Sequence, residues 1–306
     1  MNLLDELKLV FKRSDNTVNQ LILINVIVFV VLGIFNVILT LAGQEWVFDM
    51  IYSQFALPSS FHSFLLKPWT LITTFFNHSF ERLFHIVSNM LFLYWFGKII
   101  GEYIGSKKVL SLYILGGLSG SILFLLMFNI MPYYKASSPV FLVGASSSVF
   151  AIMVASATLL PEYELRLFLI GRIKLVWIVT ALLFISFFGL IKSNAGGDIA
   201  HLGGAILGYF YIKQLQKGND WGVPIIKLLY WIKNLFKPKP KIKVSYRTTS
   251  RTHSDSANKK GTSHSSVSSS KKPNQDEIDR ILDKISASGY ESLTKEEKQM
   301  LFQASH

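Results

Sequence analysis

The residues most able to do chemistry in this chain are a run of three serines, 146–148, and a histidine, His201. The serines follow Gly144-Ala145 inside a strongly apolar segment, and His201 opens a second apolar segment. Polar side chains are costly at membrane depth, so they call for a functional explanation. A serine hydroxyl becomes a nucleophile when a base takes its proton, and histidine is the usual base. The pattern therefore predicts a serine nucleophile and a histidine base carried by two membrane helices.

The glycines around these residues fit that chemistry. In Gly144-Ala145-Ser146 the glycine permits a tight turn, and the serine lies near a helix N-terminus whose unpaired N–H groups can hold an oxyanion. Gly204 and Gly208 form a small-residue face along which another helix can approach closely. Such an approach would bring His201 within hydrogen-bond reach of Ser146. The alternative is that both motifs only pack helices, because serine and glycine are common in membrane helices.

A second pair of polar residues, His85 and Asn89, is spaced four apart and therefore shares one helix face. A metal pair is one interpretation, but the chain has no cysteine and Glu81 is the only nearby acid. Two donors aimed at an oxyanion are a second interpretation. Hydrogen bonding between helices is a third, and the pair by itself does not decide between them.

The composition is that of a polytopic membrane protein. Half of the 306 residues are hydrophobic and 16% are charged, and the mean hydropathy is +0.37. The absence of cysteine excludes disulfides, thiol catalysis and thiolate metal sites. The net charge of +12 comes mostly from the C-terminal third. Beside a membrane such charge indicates orientation and anionic lipid rather than nucleic acid.

Six apolar segments are candidates for membrane spans, and an amphipathic segment at 1–18 precedes them. The six are residues 21–41, 83–104, 109–131, 144–160, 175–191 and 199–214. The fourth and sixth are short for a full crossing, which predicts a polar recess that water can enter. The aromatic loop at 42–83 is expected to dip into the membrane interface.

Lysine and arginine set the predicted orientation. They gather in residues 8–13, 98–108 and 166–174, which places both termini on the cytoplasmic side of a cell inner membrane. The second, fourth and sixth helices then enter the membrane from the same side. His85, Asn89, Ser146 and His201 all lie near the starts of these helices, so we expect them at similar depth.

The chain beyond the last span divides into three predicted parts. Residues 216–243 are basic and form a juxtamembrane segment, residues 244–272 are rich in Ser, Thr and Lys and should be disordered, and residues 273–306 form a helical module. The module is either a docking segment for an unknown partner or a helical tail without one.

Taken in order, the motifs His85-x-x-x-Asn89, Gly144-x-Ser146 and Ala200-His201-x-Gly203-Gly204-x-x-x-Gly208 resemble the rhomboid intramembrane serine proteases over about residues 15–215. The resemblance implies an all-α bundle of six transmembrane helices. It implies Ser146 as nucleophile, His201 as base, and His85, Asn89 and the Ser146 N–H as the oxyanion hole. Gly144, Gly204 and Gly208 would support the site, with no metal or cofactor. Asp198 would be a loop or helix-cap residue, not a third member of the site.

The sequence departs from the family pattern at two positions. Ser147 stands where the family usually has glycine, which leaves the choice of nucleophile among the three serines to the register set by Gly144. Thr70 follows Trp69 where many members have arginine, which bears on the stability of the first loop. His78 matches a frequent structural histidine of the family.

The resulting hypothesis is an intramembrane serine endopeptidase that cleaves transmembrane segments of membrane proteins. Substrates are expected to enter past the fifth helix, whose aromatic residues are Trp177, Phe184, Phe187 and Phe188. One alternative is an inactive rhomboid-like protein that binds membrane clients. Another is a small transporter or lipid-binding bundle, which would require polar groups along a whole path or an internal repeat.

Overall fold

The structure is a computed structural model that describes Asp5 and residues 9–11, 16–80, 83–136, 139–167, 171–191, 194–235 and 275–304. The chain divides into two compact units, residues 1–240 and 241–306. Most of the amphipathic segment predicted at 1–18, and all of the linker predicted at 244–272, lie outside the described residues.

The first unit is built from helices with two short pairs of strands. The helices are α1 (Thr17–Leu41), α2 (Glu45–Tyr52), α3 (Phe61–Leu66), α4 (Thr70–Thr73), α5 (Leu83–Ile104), α6 (Ser106–Ile130), α7 (Pro132–Lys135), α8 (Ser146–Leu159), α9 (Leu175–Gly189), α10 (Ala195–Gln216) and α11 (Val223–Leu235). The strands are β1 (Leu57–Pro58), β2 (Phe141–Leu142), β3 (Glu164–Leu167) and β4 (Gly171–Lys174). A 3₁₀ turn, Thr74–Phe76, follows α4.

A helix occupies each of the six segments expected to cross the membrane. Among the described residues, three helices are long and apolar enough to span by length and composition, namely α1, α5 and α6. Helices α8 and α9 are apolar but shorter. Helix α10 has 22 residues, but its first turn contains Gly196, Gly197 and Asp198, and its last turn contains Lys213.

Helix α8 lies at the centre of the unit, and nearly all of its residues are buried. A helix that is apolar on all sides is typical of such a position. It packs between α6 and α10, which both present glycines to it. A methyl group at Gly204 would overlap the carbonyl oxygen of Ser147, and one at Gly208 would overlap that of Ala151. The backbones of α8 and α10 are therefore in direct contact, which fixes the first two turns of α8 against the middle of α10.

The first loop is tied to the segment that leads into α8. Strand β1 pairs antiparallel with β2, with Leu57 opposite Leu142. Just after α4, the Thr74 hydroxyl donates to the Leu142 carbonyl at 2.6 Å, and the Thr74 carbonyl accepts from the N–H of Gly144 at 3.0 Å. Thr70, at the position of the usual arginine, is buried and donates to the carbonyl of Lys67 at 2.6 Å.

A β-hairpin lies between α8 and α9, where the basic residues of the sequence predict a loop. Strands β3 and β4 pair antiparallel, with Glu164 opposite Lys174 and Leu165 opposite Ile173. Alternation of charged and apolar residues is the pattern of a strand with two different faces. Lys174 Nζ also lies 2.5 Å from Glu162 Oε2 beside the hairpin.

Helix α11 is anchored where it leaves the bundle. Asp220 forms an ion pair with Lys108 at the start of α6, and it accepts hydrogen bonds from the Tyr211 hydroxyl at 3.2 Å and the Gly222 N–H at 2.9 Å. Burial acts to raise the pKa of Asp220, but these hydrogen bonds and the Lys108 charge outweigh it and hold the pKa below its ordinary value.

The second unit contains α12 (Gln275–Ser288), a 3₁₀ turn (Tyr290–Ser292) and α13 (Lys295–Ala304). Thr294 caps α13 in a reciprocal pattern: its hydroxyl accepts from the Glu297 N–H at 3.3 Å, and its own N–H donates to Glu297 Oε2 at 2.8 Å. Glu297 also pairs with Lys284 of α12 at 2.9 Å. Among the described residues of this unit, Ile281 and Leu293 are the buried apolar side chains.

Candidate active site

The starts of three helices, α5, α8 and α10, surround a cavity of about 680 Å³. His85, Ser146 and His201 all line it, together with residues of the β2 segment such as Leu142 and Val143. Three of the four polar residues that the sequence placed at one depth are thus brought to one cavity.

Ser146 is the first residue of α8 and follows a turn that only glycine tolerates well. Gly144 has φ of +124°, a conformation that side chains rarely adopt. A methyl group on Gly144 would lie 2.8 Å from His85 Cε1 and 3.8 Å from Ser146 Oγ. The space beside Gly144 is therefore shared by the His85 ring and the Ser146 hydroxyl. At the helix start, backbone N–H groups without helical partners add hydrogen-bond donors to the same place.

His201, in the second turn of α10, is held on two sides. Its ring stacks on Phe150 with centroids 4.3 Å apart and planes 10° apart. Phe150 lies four residues after Ser146 and so shares its face of α8. His201 Nδ1 lies 2.9 Å from Ser186 Oγ of α9 and 3.6 Å from Asp198 Oδ1. With Nδ1 engaged in this way, Nε2 is the ring nitrogen that remains for proton transfer.

Asn89 occupies a different place from its expected partner His85. Its amide nitrogen lies 3.4 Å from His78 Nε2, and the N–H of Ala145 lies 3.4 Å from the same nitrogen. Asn89 is not among the residues that line the cavity. Burial, and then the nearby His85, lower the pKa of His78 to about 3, so this histidine is neutral. His78 thus links α5 to the turn before Ser146.

The other two serines face away from the cavity. Ser147 Oγ donates to the Gly116 carbonyl of α6 at 2.7 Å. A methyl group at Gly120 would overlap the Ser147 hydroxyl, so α6 makes room for the larger residue. Ser148 is fully buried beside Gly117. Ser146 is the one serine of the run that lines the cavity.

The sequence did not predict Phe150 and Ser186, two residues that contact the His201 ring. Phe150 lies four residues after Ser146, and this spacing could have indicated it, whereas no local pattern marks Ser186. Asp198 was expected in a loop or cap, but α10 begins at Ala195 and includes Asp198 in its first turn. No group of three His, Asp or Glu side chains that could hold a metal occurs in the described part of the chain.

The fold and this cavity define a helical membrane protein with a serine and a histidine brought together at helix starts. The model of the rhomboid domain matches residues 66–217. The chain therefore belongs to the rhomboid family. Residues 265–306 match a separate family of unknown function, DUF6576.

Curated relatives agree with this assignment. RHOMBOID-like protein 12, mitochondrial, of Arabidopsis thaliana is 32% identical over 163 residues, which is 49% of this chain and 47% of the relative. Presenilin-associated rhomboid-like protein A, mitochondrial, of Danio rerio is 27% identical over 177 residues, 56% of this chain and 44% of the relative. Rhomboid protein 1, mitochondrial, of Saccharomyces cerevisiae is 27% identical over 160 residues, 49% and 43% respectively. The chain spans about half the length of the curated relatives it matches.

The expectation of a cell inner membrane with cytoplasmic termini was wrong. The three relatives are named as mitochondrial proteins, not as proteins of a cell inner membrane. The reason for the error is physical: the distribution of Lys and Arg indicates which segments share one side of a membrane, but it does not identify the membrane.

Proposed function

We propose that this chain is an intramembrane serine endopeptidase that cleaves transmembrane segments of other membrane proteins by a Ser146–His201 dyad. Rhomboid proteins are generally intramembrane serine proteases, although some members are inactive. The observation that carries the proposal is that Ser146, His201 and His85 line one cavity. The bundle of α1, α5, α6, α8, α9 and α10 would supply six membrane helices around it.

The dyad would act by acyl transfer. Ser146 Oγ attacks the scissile carbonyl carbon while His201 Nε2 takes the hydroxyl proton. The resulting oxyanion is held by the His85 side chain and by N–H groups at the start of α8. His201 then gives its proton to the leaving amine as the peptide bond breaks. Water attacks the acyl-enzyme while His201 takes a proton from it, and His201 returns that proton to Ser146 Oγ as the ester bond breaks, which restores the dyad.

Asn89 would contribute to the oxyanion hole indirectly, through His78. Its amide contacts His78, which in turn contacts the N–H of Ala145, one residue before the nucleophile. In this arrangement Asn89 supports the turn that carries the oxyanion donors.

Water would reach the site because α8 is short. Its 14 residues make about 21 Å of helix, against a hydrocarbon core of about 30 Å. In this proposal the start of α8 lies below one membrane face, and the cavity beside it gives water access to Ser146. A substrate segment would enter past α9, where Trp177, Phe184, Phe187 and Phe188 are exposed.

The test is labelling of the full chain, reconstituted in liposomes, with a fluorophosphonate probe, combined with cleavage of a fluorescent transmembrane reporter. Ser146→Ala should abolish both signals. The matched variant Ser148→Ala should keep the labelling, because Ser148 is buried between helices beside Gly117 and does not line the cavity. Cleavage that survives in Ser146→Ala would refute the dyad. A wild-type chain that takes no label at Ser146 would instead favour the alternative, an inactive rhomboid protein that binds membrane clients.

A further inference from the structure

The side of His201 that carries Nδ1 is enclosed by α9 and by the first turn of α10. Ser186 Oγ lies 2.9 Å from Nδ1, and Asp198 Oδ1 lies 3.6 Å from it. Ser186 and Asp198 are only 3% and 8% exposed. A buried carboxylate is costly unless something nearby compensates it, so its place beside the imidazole calls for an explanation.

The two helices are complementary at this contact. Ser186 and Gly189 are three residues apart on α9, and Asp198 and His201 are three apart on α10, so each pair shares one helix face. Ser186 meets His201, and Gly189 meets Asp198. A methyl group at Gly189 would collide with the Asp198 carboxylate. Glycine on α9 thus makes room for the acid while serine contacts the ring.

We propose that Ser186 is a positioning residue for His201, and that Asp198 supports the charge that His201 acquires. The proposal rests on the proposed function. A base that takes a proton at Nε2 must carry its own proton at Nδ1 when neutral. Ser186 Oγ accepts a hydrogen bond from that Nδ1–H and so selects the reactive tautomer and ring orientation.

The carboxylate plays a separate part. At 3.6 Å it lies beyond a good hydrogen bond to Nδ1, so it acts through its charge. When Nε2 takes the Ser146 proton, the ring becomes a cation whose Nδ1–H remains bonded to Ser186 and faces Asp198. This stabilisation appears only as the proton moves, so it raises the maximal rate and leaves the binding of substrate or probe unchanged.

The experiment is the kinetics of fluorophosphonate labelling with the full chain in liposomes, resolved into a maximal rate and a half-saturating probe concentration. Ser186→Ala should lower the maximal rate about ten- to hundredfold, as expected for a lost hydrogen bond to a charged group. The half-saturating concentration should not change. Ser186→Thr keeps the hydroxyl and should restore the rate to within about threefold of wild type. Asp198→Asn should lower the maximal rate about tenfold.

Two controls separate the possible outcomes. Thr180→Ala removes a hydroxyl from the same helix, at an apolar groove between α9 and α10 away from the ring, and should label as wild type. Ser146→Ala should not label at all. If it does, the proposed function fails. If Ser146→Ala is silent and Ser186→Ala labels at the wild-type maximal rate, only the positioning role fails. If Ser186→Ala does not fold, Ser186→Cys is tested instead, because it keeps about the same volume but its thiol is a weak hydrogen-bond acceptor. A wild-type maximal rate in Ser186→Cys would overturn the proposal.

Discussion

Substitution of Gly204 by alanine tests whether the contact between α8 and α10 sets the distance between Ser146 and His201. The added methyl carbon would overlap the Ser147 carbonyl oxygen, its nearest neighbour, and would lie 2.9 Å from the carbonyl carbon of Ser147 and 3.0 Å from its Oγ. Carbon–carbon contacts settle at about 3.5–4.0 Å. Because α8 is held by other helices on its remaining sides, α10 must move outward by about 1 Å and carry His201 with it.

A shift of this size in reacting groups costs about a hundredfold in rate. We therefore expect Gly204→Ala to label with fluorophosphonate about a hundred times more slowly than wild type, measured well below the thermal midpoints of both proteins. The matched control is Gly101→Ala on α5, where the nearest atom to the new methyl carbon would be Val109 Cγ2 at 3.8 Å. This control should label normally. Wild-type labelling by a folded Gly204→Ala protein would refute the idea that this contact sets the geometry.

Three further predictions concern other contacts. Ser147→Gly should keep the labelling rate and lose about 1 kcal/mol of stability with its one interhelical hydrogen bond; a large loss of labelling with unchanged stability would contradict this. Asp220→Asn should lower the thermal midpoint at neutral pH. Because the pKa of Asp220 is depressed, its stabilisation is present above the ordinary value of 3.8 and is lost as pH falls through the depressed value, so the midpoints should converge in acid; a constant difference would argue against the Lys108 pair as its cause. Thr294→Ala should speed hydrogen exchange in α13 about fivefold, since such a cap contributes about 1 kcal/mol. The lowered pKa of Glu297, due first to its bond with the Thr294 N–H, predicts that the protection factor of α13 in wild type, its exchange relative to the intrinsic rate at the same pH, also falls once pH drops through that depressed value.

The periodic apolar segments were predictable, because long runs of apolar residues determine membrane helices locally. The helix expected at 83–104 is the observed α5, Leu83–Ile104. The hairpin at Glu164–Leu167 and Gly171–Lys174 was missed because its charges had been interpreted only as a signal of orientation. Helix α10 begins at Ala195, earlier than the expected 199, because packing overrides the weak helix preference of two glycines.

The placement of the candidate residues in the fold was predictable where they lie close in sequence and less so where they meet only in space. Gly144 and Ser146 are two positions apart, and their geometry follows from the turn. Ser186 lies 15 residues from His201 on another helix, so no spacing rule selects it. Asn89 shares a helix with His85, but its amide contacts His78 and does not line the cavity with His85. Tertiary packing decides among such partners, and the sequence of one helix does not contain that information.

The pairing of β1 with β2 makes the Gly144-x-Ser146 turn part of a larger structural unit. Leu57 and Leu142 are opposite each other across the two strands, and Thr74 adds two further bonds to the same segment. In engineering terms, Gly144-x-Ser146 is not a portable motif. A design that transfers it into another helical bundle would have to transfer residues 57–74 with it, because that loop bonds to the segment that leads into the turn.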